Sequence, residues 1–166
     1  MNGLKVLIVC GLLTAVLVPH VLAMGDAGFV QESLAGKPAS DFALPTAKGK
    51  NFSFKASTAG KKTVIMFWAT WCPHCRVTLK EINDEYAEIV ANQVEIVLVN
   101  VGEDKQSVLN YLNRFKYAFD VVLDTNGSIG QEYQVSGIPK VLFVDERGMI
   151  KSVGYGFPKR YMEEFK

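Results

Sequence analysis

The residues of this chain best suited to chemistry are Cys72 and Cys75, two cysteines with only Pro73 and His74 between them. A thiolate is a strong nucleophile toward disulfides, and a second thiol within one turn of backbone can resolve the mixed disulfide that results. The spacing therefore suits a reversible dithiol. It suits a structural staple poorly, because so short a loop offers little loop-closure entropy to a disulfide. Metal binding is the competing chemistry for two cysteines at this spacing. A structural zinc site wants four ligands, and this pair supplies two. The third cysteine, Cys10, lies in a separate apolar segment, and His74 is the only histidine after residue 20. No metal is expected. The same scarcity of histidine argues against a Ser-His-Asp or Cys-His hydrolase.

The elements around the pair explain its placement. Thr63 to Trp68 is rich in β-branched and aromatic residues and reads as a buried strand. From Pro73 to about Ala91 the apolar period is helical, with Leu79, Ile82, Tyr86 and Ile89 on one face. The cysteines thus sit where a strand ends and a helix begins. Unpaired N–H groups and the positive end of the helix dipole at that point favour a thiolate. Pro73 is tolerated in a first helical turn, where its missing N–H is no loss. A protonated His74 would favour the Cys72 thiolate further and make the disulfide more oxidising. Cys72 is expected to be the exposed nucleophile and Cys75 the more buried resolving thiol.

The other elements alternate. Phe42–Leu44 and Asn51–Phe54 flank Lys48-Gly49-Lys50 as a hairpin. Val94–Val101 is a strand covered on both faces. Lys105 to about Lys116 is a helix that buries Val108, Leu112 and Phe115; Phe119–Leu123 is a strand and Ser128–Tyr133 a short helix. Lys140–Asp145 and Met149–Tyr155 are strands joined by Glu146-Arg147-Gly148, and Pro158 opens a short last helix. This order predicts an α/β fold whose central sheet is mostly parallel with antiparallel edges.

The first 23 residues stand apart. Lys5 precedes the apolar run Val6–Val18, and Val21-Leu22-Ala23 resembles a small-residue cleavage site. The run falls short of the ~20 residues a membrane span needs. Residues 1–23 are read as a secretory signal or an N-terminal membrane anchor, 24–35 as a tether and 36–166 as the domain. Export places the pair in a compartment that permits disulfides. The whole chain has 166 residues, about half of them apolar, with formal net charge +1; without residues 1–23, 17 basic and 17 acidic side chains balance. Such a surface lacks the basic face of a nucleic-acid binder. No flavin or nicotinamide motif is present, so no cofactor is expected, and electrons must pass to or from a partner protein.

The segments Gly36–Leu44, Phe67-Trp68-Ala69-Thr70-Trp71-Cys72-Pro73-His74-Cys75, Gly137-Ile138-Pro139 and Asp145–Gly148 together resemble the thioredoxin superfamily, and within it the exported TlpA/ResA-like thiol–disulfide oxidoreductases. The resemblance covers most of residues 36 to 157. It implies a thioredoxin-like fold: a central mixed sheet flanked by helices, an N-terminal β-hairpin, and one inserted element before a cis Ile138–Pro139 bond. It implies Cys72 and Cys75 as the catalytic pair, with Pro73 and His74 tuning the thiolate. Trp71, Ile138 and Pro139 would meet an extended substrate segment. Lys140 would add positive charge near the thiolate. Substrates would be protein thiols and disulfides, and the redox partner a membrane or exported protein. The implied role is a periplasmic reductase of the cytochrome c maturation type. His74 favours the alternative of a dithiol oxidase or isomerase. A thiol peroxidase would need a threonine where Ala69 stands, and a non-catalytic binding module would have no use for the intact pair. Two departures concern proton transfer. Met66 replaces the buried acid of thioredoxins, and Thr78 the glutamate of many TlpA/ResA-like proteins. Glu81, one turn on, is expected to be a solvated helix residue.

Overall fold

The computed structural model describes residues 34–117 and 119–166. The signal or anchor expected at 1–23, and nearly all of the tether at 24–35, lie outside them. Among the described residues no helix is long and apolar enough to cross a membrane.

Among the described residues, seven strands and five α-helices follow in the order β1 (Ala43–Pro45), β2 (Asn51–Ser53), α1 (Phe54–Thr58), β3 (Lys62–Trp68), α2 (Pro73–Asp84), α3 (Tyr86–Ala91), β4 (Val94–Val101), α4 (Lys105–Phe115), β5 (Val122–Asp124), α5 (Ser128–Glu132), β6 (Lys140–Val144) and β7 (Ile150–Gly154), with a closing 3₁₀ turn at Tyr161–Phe165. Strands β1 and β2 form the expected antiparallel hairpin. The main sheet has the order β5-β4-β3-β6-β7. The pairs β3–β4 and β4–β5 are parallel, while β3–β6 and β6–β7 are antiparallel. The sheet is mixed, as the family resemblance implies, but it is not mostly parallel: β6 is antiparallel inside the sheet, and the edge strand β5 is parallel. Strand β5 and helix α5 lie between α4 and the proline.

Alternation along the strands builds two cores. Met66, Trp68, Leu98, Val141 and Phe143 join one buried cluster with Leu79 and Ile82 of α2 and Val108 and Leu112 of α4. Ile65, Phe67, Val99, Leu142 and Val144 join the other, with Phe42 and Phe54 from the hairpin side and Tyr133 after α5. Burying each of these large side chains stabilises the fold by about 1.5–3 kcal/mol before conformational entropy is charged against it. Gly130 gives close approach where α5 meets the sheet. A Cβ there would lie 3.3 Å from Val101 Cγ1, and its N–H donates to buried Asp124 at 2.7 Å.

Three further expectations need correction. The helix after the cysteines is not continuous to Ala91: Glu85, with φ −96° and ψ 3°, separates α2 from α3. Tyr86 is turned outward as a result, its ring packing against Phe119 at 5.5 Å. Phe115 is 44% exposed, and Tyr111 takes its place in the core. Phe115 instead packs its ring on Tyr111, one turn earlier, at 4.7 Å. Phe54 begins the short helix α1, which the strand-like Asn-Phe-Ser-Phe pattern concealed.

Candidate active site

Strand β3 delivers the chain to the site, and Ala69, Thr70 and Trp71 carry it to the start of α2. Cys72 is the N-cap of α2, with Pro73 at the first helical position. Its Sγ accepts a hydrogen bond from the Cys75 backbone N–H at 3.1 Å. A sulfur thus fills the role that a hydroxyl or carboxylate oxygen usually plays at an N-cap, and negative charge on it is favoured by that N–H and by the helix dipole. Cys72 and Cys75 are joined in a disulfide, with Cα atoms 5.3 Å apart.

The expected difference in exposure holds in order but not in extent. Cys72 is 3% exposed and Cys75 fully buried, so the disulfide offers a partner only the edge of one sulfur. The Ile138 carbonyl oxygen lies 3.6 Å from Cys72 Sγ, across the sheet end from α2. The Ile138–Pro139 bond is cis. Pro139 is buried and Ile138 half-buried, so the Gly-Ile-Pro segment forms one wall of the site. Trp71 is 66% exposed beside the cysteines, while Pro73 and His74 are exposed on the first turn of α2.

Lys140 lies elsewhere than expected. It pairs with Phe67 in the sheet, and its neighbour Val141 with Met66, so its side chain leaves on the face opposite α2. Buried there, its ammonium donates to the carbonyls of Tyr133 and Gln134, both at 2.9 Å. Burial lowers its pKa from the usual lysine value. Lys140 thus ties the end of α5 to the sheet and adds no charge beside the thiolate. The two departures from the family pattern are plain: Met66 is fully buried in the apolar cluster that holds Cys75, and buried Thr78 donates to the His74 carbonyl at 3.3 Å. Glu81 is exposed, as expected.

A carboxylate that sequence reasoning passed over is bound into the approach to the dithiol. Glu103, in the loop after β4, accepts from the Thr70 N–H at 2.7 Å and from the Thr70 hydroxyl at 2.5 Å. It also accepts from Asn100 Nδ2 at 2.7 Å. Asn100 is fully buried at the end of β4, opposite Trp68 in the parallel register. Glu103 therefore fixes the backbone two residues before Cys72. No local pattern announces a contact between residues 33 apart; the only signal is an acid just past the end of a buried strand. The same contact occupies the Thr70 hydroxyl, and the position a peroxidase threonine would take is filled by buried Ala69.

Among the described residues no group of three or more His, Cys, Asp or Glu side chains could hold a metal. A hollow of about 490 Å³ near Lys61, Lys62 and Gln93 opens at the other end of β3, away from the dithiol.

The chain's similarity to known proteins matches this geometry. Residues 35–153 match the model of the AhpC/TSA family. The thiol-disulfide oxidoreductase ResA of Bacillus subtilis (strain 168) is 32% identical over 149 residues, covering 86% of this chain and 83% of that protein. The thiol:disulfide interchange protein DsbE of Pseudomonas fluorescens biotype C is 30% identical, covering 76% and 69%. The crystal structure of StoA from Bacillus subtilis superposes with a TM-score of 0.63 at 29% identity, covering 77% of this chain and 95% of StoA. The fold and site define a thioredoxin-like oxidoreductase, and the chain belongs to the AhpC/TSA family, among its ResA- and DsbE-type thiol–disulfide oxidoreductases.

Proposed function

We propose that the chain is an extracytoplasmic protein-disulfide reductase in which Cys72 attacks and Cys75 resolves. The observation that carries this reading is the Cys72 sulfur at the α2 N-cap, held by the Cys75 N–H at 3.1 Å beside the Ile138 carbonyl. In the reduced protein the Cys72 thiolate attacks one sulfur of a client disulfide. The client S–S bond breaks, one client thiolate leaves, and a Cys72–client disulfide forms. Cys75, having given its proton to solvent or to the leaving thiolate, then attacks Cys72 Sγ and releases the second client thiol. Two electrons have passed to the client, and the Cys72–Cys75 disulfide remains. A dithiol protein partner must reduce it again by the same steps in reverse.

The remaining roles follow from position. Trp71 offers an exposed ring to the client, and the backbone at Ile138 and Pro139 can hold an extended client segment by strand-like pairing. Pro73 and His74, in the first turn of α2, tune the thiolate. With no acid at 66 or 78, the Cys75 proton leaves through solvent or through the client thiolate. Residues 1–23, read as a signal or anchor, support export. The resemblance to ResA-type proteins favours a place in cytochrome c maturation, with protein dithiols as clients and a membrane or exported partner as electron source.

The direction is tested by equilibrating the protein in thiol buffers and measuring the potential of the pair. A value near −270 mV, about that of thioredoxin, is expected; a value near −120 mV, about that of the strong oxidant DsbA, would make the protein a dithiol oxidase instead.

A further inference from the structure

Beside Trp71 lies a groove of about 400 Å³, walled by Thr70 and Trp71, by Arg76 of α2 and by Asn110, Tyr111, Arg114 and Phe115 of α4. Its apolar side is built from the 66%-exposed Trp71 and the 44%-exposed Phe115. Its charge is all of one sign. Arg76 and Arg114 are exposed, and neither forms an ion pair among the described residues. The Arg114 guanidinium lies over the Phe115 ring, 5.8 Å from its centre, which fixes the cation against the apolar wall. Glu103, which holds the groove residue Thr70, is already engaged by three donors from Thr70 and Asn100. Asp84, further along α2, is bound to Lys80 at 2.5 Å.

A lone surface arginine is ordinarily only solvated. Here two share a groove with exposed aromatic rings, and the groove begins at the residue before Cys72 and includes the residue after Cys75. A client segment running from its attacked sulfur past Trp71 enters the groove within a few residues, at roughly 3.3 Å per extended residue. We infer that this groove docks an acidic, partly apolar peptide segment flanking the reactive cysteine of a protein partner. A client Asp or Glu would face Arg76 and Arg114 while a neighbouring apolar side chain covers Trp71 and Phe115. The inference rests on the proposed disulfide exchange with protein partners and narrows the class of those partners.

The test uses the reduced full chain and three peptides, each with one cysteine joined to 2-thiopyridine as a neutral chromogenic leaving group. The cysteine is followed by Glu-Leu-Glu, Gln-Leu-Gln or Lys-Leu-Lys. Release of thiopyridone is timed for the protein and for mercaptoethanol, and the second rate corrects for each peptide's own reactivity. The Glu peptide is expected to outpace the Lys peptide by roughly tenfold at low salt, because complementary charge chiefly raises the encounter rate. In R76Q/R114Q, or in ~1 M salt, the ratio should approach one. The ratio is independent of how much active dithiol a variant retains. R160Q, at an arginine outside the groove, should leave it unchanged. Equal rates for the two peptides in the wild-type chain would overturn the inference, as would a ratio that survives R76Q/R114Q or falls equally in R160Q. If the protein reacts with no peptide faster than mercaptoethanol does, the dithiol reading itself fails, and the docking inference with it.

Discussion

Replacing Glu103 with alanine should loosen the approach to the dithiol and destabilise the fold by a predictable amount. The carboxylate accepts three hydrogen bonds, at 2.7, 2.5 and 2.7 Å. A hydrogen bond to a charged group contributes about 1.5–3 kcal/mol, and a buried donor left unpaired costs about 1–3 kcal/mol. Thr70 is half-buried, so its hydroxyl can turn to water and water can reach its N–H, and little of their share is lost. Asn100 cannot: it is fully buried, and its Oδ1 has no hydrogen-bond partner even with Glu103 in place. The expected loss for E103A is therefore roughly 2–4 kcal/mol, set mainly by Asn100. E103Q should lose about half as much, since its amide oxygen still accepts one bond while its NH₂ group faces donors. Urea unfolding of the oxidised protein reads both values from the shift in midpoint at constant slope. The exchange rate should also fall, because Thr70 immediately precedes Trp71 and Cys72. An E103A protein within about 0.5 kcal/mol of wild type would refute the clamp, since changes of that size are typical of uninvolved surface sites.

Lys140 should prove structural. K140M strands the Tyr133 and Gln134 carbonyls and should cost roughly 1–3 kcal/mol, read by the same unfolding assay. Because burial lowers the folded-state pKa of Lys140 below 10.5, the unfolded chain binds more protons between those two values, so stability gains with rising pH in that window. K140M should remove that gain; a variant with an unchanged alkaline slope would contradict the burial. Asp145 should govern part of the acid limb. Burial alone would raise its pKa, but the N–H groups of Met149 and Arg147 and the Arg147 guanidinium outweigh it and hold the value below 3.8. Its contribution is therefore fully present above the ordinary aspartate value and lost as pH falls through the lowered one. D145A should flatten the loss of stability below about pH 4, and an acid limb identical to wild type would count against this turn as its origin.

Local signals carried much of the fold into the sequence. The β-branched and aromatic run at Thr63–Trp68, the near-continuous apolar run at Val94–Val101 and the turn at Glu146-Arg147-Gly148 correspond to β3, β4 and the β6–β7 hairpin because each is fixed by residues close in the chain. The dithiol was legible for the same reason, since a strand, two cysteines and a helical period follow one another directly. What escaped notice depends on distant partners. Phe115 has the right period to be buried, yet Tyr111 takes the core position by packing on Trp68 of β3, and Phe115 lies tilted against Tyr111 at the surface. Lys140 follows Pro139 directly, but strand alternation turns its side chain away from the sulfur, and only the pairing with Phe67 shows this. Glu103 reaches Thr70 across 33 residues through the parallel pairing of β3 with β4, which sequence periodicity does not encode.

The central claim, that Cys72 attacks and Cys75 resolves, is tested most directly by trapping. The reduced C75S protein is mixed with a disulfide-containing protein substrate, separated without reductant, and mapped by mass spectrometry. A stable adduct joined through Cys72, absent with C72S and short-lived with wild type, is the predicted result. Failure of C75S to accumulate any adduct while wild type still reduces the substrate, or a C72S protein that reduces it at the wild-type rate, would contradict the two-cysteine mechanism.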